Sequence, residues 1–145
     1  LNSGFMIPQY TTAALVTENK TLCFPSSADS IPTSLGQEDH VSMGSISGRK
    51  LNRVLDNLEF ILAIELLSAC QAIEFRRPLK SSELLEFAHD RVREHVSFAS
   101  EDRIFADDIN KIAGIIKDFS FVERINEFAM SKKIVLNDSF GMFSL

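Results

Sequence analysis

The sequence predicts an all-α fold, on the strength of three observations. Apolar residues recur at spacings of three and four along several segments, as they do on one face of a helix. The alternation typical of half-buried strands is absent. The 145 residues, 45% hydrophobic and 24% charged, suffice for a globular core. We expect long central-bundle helices in residues 1–77, shorter peripheral helices and a tail in residues 78–145, and a long irregular loop at about residues 24–48.

Residues 5–23 are predicted to form the first long helix, with small and apolar residues at its centre. Pro8 either occupies its first turn, where proline is tolerated, or kinks it. The predicted loop follows, because prolines, glycines and serines are turn formers. Its main turn formers, besides the serines, are Pro25, Pro32, Gly36 and Gly44.

Residues 49–76 show the strongest helical pattern in the chain. From Phe60 to Phe75 this segment is apolar on nearly every side, which is typical of a helix inside a large bundle or at a subunit interface. We therefore expect the chain to be a fragment of a longer protein that self-associates. The residues of the predicted apolar face are Leu51, Val54, Leu55, Leu58, Leu62, Leu66, Ala69 and Ile73.

Three shorter helices are predicted after Pro78. The first begins at Ser81 or Ser82 and the second at Asp107 or Asp108. The third begins at Ser120, which has capping-box spacing to Glu123. Residues 134–145 carry apolar side chains without a clear period.

Charge and cysteine usage exclude several classes of protein. The net charge of -5 and the isoelectric point near 5.2 argue against nucleic acid or an anionic membrane as partner. No apolar run approaches the roughly 18 residues that a membrane span requires. Cys23 and Cys70 lie in apolar stretches without CxxC spacing, so we expect two reduced core cysteines in a cytosolic protein. The chain opens without an initiator Met or a signal-peptide pattern, which again predicts a fragment.

The polar run from Gln37 to His40 is the best candidate for chemistry. It contains an amide, two carboxylates and an imidazole, and it lies on a loop of a length that is usually functional when ordered. Such a cluster suits general acid/base catalysis, or anchoring of an ammonium or imidazole group by charge-assisted hydrogen bonds. The alternative, which composition alone favours, is a solvated loop whose Asp39 or Ser42 caps the next helix.

The histidines offer no second site. His89 and His95 are six residues apart, so they do not share a helical face, and we expect solvated side chains instead of metal ligands. The mixed charges from Glu83 to Arg103 and the pair Lys117-Asp118 are predicted to be solvated helix faces.

Several ordered motifs occur along the chain. They are Gly4-Phe5-Met6-Ile7, Glu18-Asn19-Lys20, Asp29-Ser30-Ile31-Pro32-Thr33-Ser34, Gln37-Glu38-Asp39-His40-Val41-Ser42-Met43, Leu62-Ala63-Ile64-Glu65 and Phe98-Ala99-Ser100-Glu101-Asp102-Arg103. In these motifs the chain closely resembles the C-terminal portion of the histidine ammonia-lyases, within the aromatic amino acid lyases. The resemblance is dense from residue 4 to residue 76 and thinner onward.

The resemblance implies a cytoplasmic, all-α homotetramer whose active sites draw on several subunits. The implied reaction eliminates ammonia from L-histidine to give trans-urocanate. The family's electrophile is 4-methylideneimidazole-5-one (MIO), formed from an internal Ala-Ser-Gly tripeptide. That tripeptide does not occur here. We therefore expect the cofactor to form outside this chain, and the chain alone to be inactive.

The resemblance also assigns residues. Glu38 matches the family's catalytic glutamate, and Gln37 and Met6 match its substrate-binding side; Met6 alternatively packs in the core. Phenylalanine and tyrosine lyases carry an amide in place of this glutamate. The difference is physically reasonable, because an imidazole offers N–H donors to a carboxylate and a phenyl ring does not. An aromatic lyase or aminomutase, or an inert helical association module, remains as an alternative. The chain departs from the family at Gly36, where asparagine is common, and at Pro8, where alanine is common.

Overall fold

A computed structural model describes residues 3–26, 28, 30–38 and 44–136. Within these ranges the chain forms five α-helices, which confirms the all-α prediction. They are α1 (Met6–Leu22), α2 (Gly44–Glu74), α3 (Glu83–Arg93), α4 (Phe105–Lys117) and α5 (Ser120–Ser131), with a 3-10 turn at Ser34–Gly36. None of these helices is long and apolar enough to cross a membrane.

The 31-residue helix α2 is the element around which the others pack. Helices α1 and α4 lie against it, and α5 packs on α3 and α4. The buried core lies where α2, α3, α4 and the segment after α3 meet, and burial of these apolar side chains is the main stabilising contribution. Its residues are Ala63, Leu67, Cys70, Val92, Val96, Phe105, Ile112 and Ala113.

Helix α2 presents apolar side chains on two different sides. Ala63, Leu67 and Cys70 face the core and are nearly fully buried. Several residues of the predicted apolar face lie on the solvent side instead and are 41–57% exposed. We refer to these residues as the leucine stripe, which consists of Leu51, Leu55, Leu58 and Leu62. The helix is therefore apolar beyond what this chain covers, as its sequence predicts.

Two predicted helix starts were wrong by a few residues. Helix α2 begins at Gly44 instead of residue 49 and ends at Glu74 instead of residue 76, so the irregular loop is shorter than predicted. A long helix that is stabilised by packing extends readily into poor helix formers such as the glycines of its first turns. Helix α4 begins at Phe105, which is buried and packs on Phe5 with ring centroids 4.4 Å apart.

The helix termini confirm some local predictions and correct others. Ser82 is the N-cap of α3, and its hydroxyl accepts a hydrogen bond from the Leu85 N–H. The capping box at Ser120 was wrong: Phe119 is the N-cap, with a left-handed φ of 60°, and Ser120 is the first helical residue. The Ser120 N–H donates instead to the Asp118 carboxylate over 3.0 Å. Pro8 is buried within the first turn of α1, where proline is tolerated, as the first of the two alternatives predicts.

The two cysteines have different environments. Cys70 lies in the core, as predicted, and burial raises the pKa of its thiol to about 11. Cys23 is exposed at the end of α1, so its placement in the core was wrong. Cys23 directly follows the last residue of α1, at a position that the described part of the chain leaves exposed.

Candidate active site

The loop that carries Gln37 and Glu38 is closed by a pair of reciprocal backbone hydrogen bonds. The Thr33 N–H donates to the Glu38 carbonyl over 2.7 Å, and the Glu38 N–H donates to the Thr33 carbonyl over 3.2 Å. Inside this pair, the Gly36 N–H donates to the Thr33 carbonyl as well. Residues 33–38 therefore form one tight, hydrogen-bonded turn, and the side chains of Gln37 and Glu38 project from it into solvent.

Three consecutive residues of this turn have left-handed backbone conformations. Ser34, Leu35 and Gly36 have φ values of 52°, 57° and 86°. Glycine adopts this region freely, whereas Ser34 and especially Leu35 are strained there, which costs about 1 kcal/mol or more per residue. The side chain of Leu35 is fully exposed and gains nothing from burial. Strained residues of this kind cluster at functional sites, where the shape of the backbone matters more than its stability.

A polar clamp holds together the two helices that flank this loop. The buried Asn57 amide of α2 donates to the Glu18 carboxylate and to the Asn19 side-chain oxygen of α1, each over 2.8 Å. Arg53 donates to the same carboxylate over 3.2 Å. The hydrogen bonds from Asn57 and then Arg53 lower the pKa of Glu18 below its ordinary value of 4.5. The end of α1 is thereby fixed to the first half of α2, and Lys50 adds a contact to the Phe24 carbonyl.

Met6 lies elsewhere, on the wall of a cleft of about 770 Å³. Its side chain is 57% exposed, so it is not a core residue of this chain. The cleft lies between the start of α1, the second half of α2 and the segment 97–104. Neither Gln37 nor Glu38 lines it, so the three predicted site residues do not share one cleft within this chain.

A hydrogen-bonded segment, residues 97–104, forms the far wall of this cleft. The buried Gln71 side chain pairs with the Ala99 backbone in both directions: its amide donates over 2.8 Å and its oxygen accepts over 3.1 Å. Arg103 donates to the Ser97 carbonyl over 2.6 Å and to Asp108 over 2.7 Å. This role of Gln71 was not predicted from the sequence. A polar residue within the nearly all-apolar stretch from Phe60 to Phe75 is the signal that could have identified it, because buried polar side chains need hydrogen-bond partners.

The prediction for His89 was wrong. Its side chain is only 4% exposed, and its Nε2 lies 3.0 Å from the Glu74 carboxylate. Arg93 also donates to Glu74 over 3.1 Å, and Arg77 pairs with Glu86 over 2.7 Å. Several charged side chains of α3 are therefore not solvated but form ion pairs with Glu74 at the end of α2 and with Arg77 just after it. Such pairing is required where charges are partly buried. His95 is exposed, as predicted.

Two other sequence-based interpretations have different outcomes. Lys117 is exposed but joins α4 to α2 through ion pairs with Asp56 and Glu59, at 3.4 Å and 3.3 Å. Asp39, His40 and Ser42 lie outside the described residues, so the capping alternative stays a prediction. Among the residues that the structure does describe, no three metal-binding side chains come together.

The chain is similar to histidine ammonia-lyases over most of its length. It is 51% identical to the enzyme of Aliivibrio fischeri over 121 residues, which are 83% of this chain and 24% of that protein. The corresponding protein of Desulfotalea psychrophila is 54% identical over 121 residues. The chain spans about a quarter of the length of these curated relatives.

Solved structures give the same result. The crystal structure of histidine ammonia-lyase from Trypanosoma cruzi superposes with a TM-score of 0.83 at 46% identity, covering 88% of this chain and 25% of that one. Tyrosine aminomutase from Streptomyces globisporus superposes with a TM-score of 0.82 at 38% identity, covering 88% and 24%. The family model for aromatic amino acid lyases matches residues 1–94. With that match, and with the helices of both solved structures reproduced here, the chain belongs to the aromatic amino acid lyase family.

Proposed function

We propose that this chain is the C-terminal part of a histidine ammonia-lyase, an enzyme that eliminates ammonia from L-histidine to give trans-urocanate. The observation that carries the proposal is the Glu38 carboxylate, presented on a strained and hydrogen-bonded turn. The carboxylate makes no hydrogen bond or ion pair with any residue in the described part of the chain. Together with Gln37, it is therefore available to a polar, nitrogen-containing substrate.

In this proposal Glu38 acts on the amino acid substrate and not on the electrophile. A carboxylate can accept the proton that leaves the β-carbon, or it can hold the ammonium or imidazole group of histidine through N–H donors. Gln37 contributes an amide to the same side, and Met6 an apolar wall. We further propose that residues 1–77 contribute bundle helices and the active-site loop, and residues 78–145 the peripheral region.

The electrophile of the reaction has to come from outside this chain. When bound, MIO supplies the electrophile that activates the substrate for loss of ammonia. The Ala-Ser-Gly tripeptide from which it forms does not occur in this sequence, and the turn at residues 33–38 offers two hydroxyls, an amide and a carboxylate. The residues present suit a substrate-facing wall and not the source of this group. The isolated chain is accordingly proposed to be inactive.

We propose a homotetrameric, cytoplasmic parent enzyme, and the leucine stripe supports the association of several subunits. Four neighbouring leucines that are 41–57% exposed form an apolar surface of the kind that marks protein interfaces. In the complete enzyme the stripe is covered by other bundle helices. The isolated chain is then a helical association module, and light scattering is expected to show oligomers at micromolar concentration. A monomer at high concentration would contradict this part of the proposal.

An aromatic lyase or aminomutase is the second candidate. The TM-score with tyrosine aminomutase is nearly as high as that with histidine ammonia-lyase, so the fold does not discriminate between them. The Glu38 carboxylate favours histidine, because an imidazole presents ring N–H donors and can carry a positive charge. A phenyl ring offers no donor and would leave the carboxylate unpaired on desolvation, and a phenol offers a single O–H and no charge.

A chimera tests the proposal. In the Aliivibrio fischeri histidine ammonia-lyase, the region matched over 121 residues is replaced, together with its flanks, by residues 1–145 of this chain. The purified chimera is incubated with L-histidine, L-tyrosine or L-phenylalanine, and urocanate or the cinnamate-type product is followed by ultraviolet absorbance. We expect turnover of L-histidine only. A chimera that folds and assembles like the recipient enzyme, yet prefers L-tyrosine or L-phenylalanine, would contradict the proposed substrate.

A further inference from the structure

Asp102 holds the start of α1 from a position almost a hundred residues away in sequence. One oxygen of its carboxylate accepts a hydrogen bond from the Ser3 N–H over 2.9 Å, and the other accepts one from the Gly4 N–H over 3.0 Å. The carbonyls of the same two residues accept the first hydrogen bonds of the helix, from the Met6 N–H to Ser3 and from the Ile7 N–H to Gly4. The N-cap residue Phe5 has no side-chain cap of its own. Asp102 is thus the group that fixes the first turn of α1.

The contact is close enough to require a glycine. A Cβ added to Gly4 would lie 2.7 Å from the Asp102 carboxylate oxygen and 2.8 Å from the Phe105 ring. Phe105 in turn packs on Phe5, with ring centroids 4.4 Å apart. The first turn of α1 is therefore held by a hydrogen-bonded and an apolar contact, both made by residues at or beside the start of α4.

Asp102 is itself held in place. It belongs to the segment 97–104, which Gln71 anchors to α2 and Arg103 anchors to α4. This segment, Gly4 and Met6 line the same cleft of about 770 Å³. A movement of Asp102 would therefore displace the wall of the cleft on which Met6 lies.

We infer that Asp102 is a positioning residue for the substrate side of the active site: by holding the Ser3 and Gly4 amides, it sets the place of the Met6 side chain. This inference rests on the proposed function, because it takes the Met6 wall to face the amino acid substrate. Asp102 lies beyond the residues 1–94 that the family model matches. The region after α3 thus contributes to the site without touching the substrate.

Two measurements test this inference. The first is amide hydrogen exchange at Ser3 and Gly4, followed by NMR on the 145-residue chain. Asp102→Asn keeps the size of the side chain but replaces one acceptor oxygen by a donor, so at least one of the two amides loses its partner. We expect exchange at that amide to accelerate about tenfold, since a hydrogen bond to a charged group contributes about that factor. Asp107→Asn, at an exposed position in the first turn of α4, is the matched control and should leave both amides unchanged.

The second measurement is steady-state kinetics of the chimera with L-histidine. A displaced Met6 wall weakens ground-state and transition-state binding alike, so Asp102→Asn should raise KM about tenfold with kcat nearly retained. Gly4→Ala should shift KM in the same direction, because its Cβ opens the same contact from the other side. Asp107→Asn should behave as the unsubstituted chimera.

The outcomes separate the two proposals. An unsubstituted chimera that folds but forms no urocanate overturns the proposed function, and the exchange measurement then decides the role of Asp102 alone. Unchanged exchange at both amides in Asp102→Asn overturns the inference. It is also overturned if Asp102→Asn lowers kcat and the melting temperature while KM stays constant, because that pattern indicates a structural role only.

Discussion

Replacing Leu67 by alanine tests whether the core side of α2 contributes more to the free energy of unfolding than the leucine stripe does. Leu67 is 2% exposed and packs in the core with residues of α2, α3 and α4. Deleting the three side-chain carbons beyond Cβ removes buried apolar surface and leaves a cavity in a tightly packed environment, which costs about 3–4 kcal/mol for leucine at such sites. In a chain of this length, each kcal/mol lowers the melting temperature by about 3 °C. We therefore expect a fall of roughly 10 °C.

Leu62→Ala is the matched control on the same helix. Leu62 belongs to the leucine stripe and is 41% exposed, so truncation removes less buried surface than at Leu67 and should cost about 1–1.5 kcal/mol in the monomer. Circular dichroism at the lowest workable protein concentration measures the melting temperature of each variant. Equal losses of stability in the two variants would refute the assignment of one face to the core and the other to solvent.

Three further predictions concern single positions. Cys23 should react with a thiol reagent at pH 8 at once, whereas Cys70, with its pKa raised to about 11 by burial, should react only on unfolding; equal rates would contradict the buried site. Because the pKa of Glu18 is lowered in the folded chain, its contribution to stability is present above about pH 4.5 and is lost as the pH falls through the folded-state pKa. Glu18→Gln should therefore flatten the fall of the melting temperature below pH 4.5, and an unchanged pH profile would exclude the clamp. Gly114→Ala, at a helical position where a Cβ meets nothing within 4 Å, should raise stability by about 0.5–1 kcal/mol; a lowered melting temperature would contradict the open environment at this position.

Local sequence signals predicted the helices better than their ends. The periodicity that predicts α2 and the Ser82 cap that starts α3 are short-range features, and both are observed. The start of α4 depends on the contact between Phe5 and Phe105, a hundred residues apart in sequence. The sequence of α4 alone does not reveal this contact. The prediction of a start at Asp107 or Asp108 used the acidic residues instead, which lie in the first turn of the observed helix.

The same distinction applies to the polar residues. The sequence around His89 predicts a surface residue. Its burial involves the Glu74 carboxylate of another helix, which the sequence of α3 does not indicate. Asn57 and Gln71 likewise acquire their roles from partners 28 or more residues away. The run from Gln37 to His40 was singled out because several polar and titratable side chains on an irregular segment are a local signal, whereas the choice of Glu38 within it came from the resemblance to the lyase family. The strained turn that carries Glu38 was not predictable, since Ser34 and Leu35 seldom adopt left-handed conformations.

The most direct test of the central claim is the effect of Glu38→Gln on the chimera with L-histidine. Loss of one positioned acid/base or ion-pairing group typically lowers the rate by about 10²–10⁴, and an exposed turn carboxylate contributes little to folding. We predict a loss of turnover of that order with an unchanged melting temperature, while Glu127→Gln on the exposed side of α5 affects neither. Unchanged kinetics together with a lowered melting temperature would contradict the account and assign Glu38 a structural role.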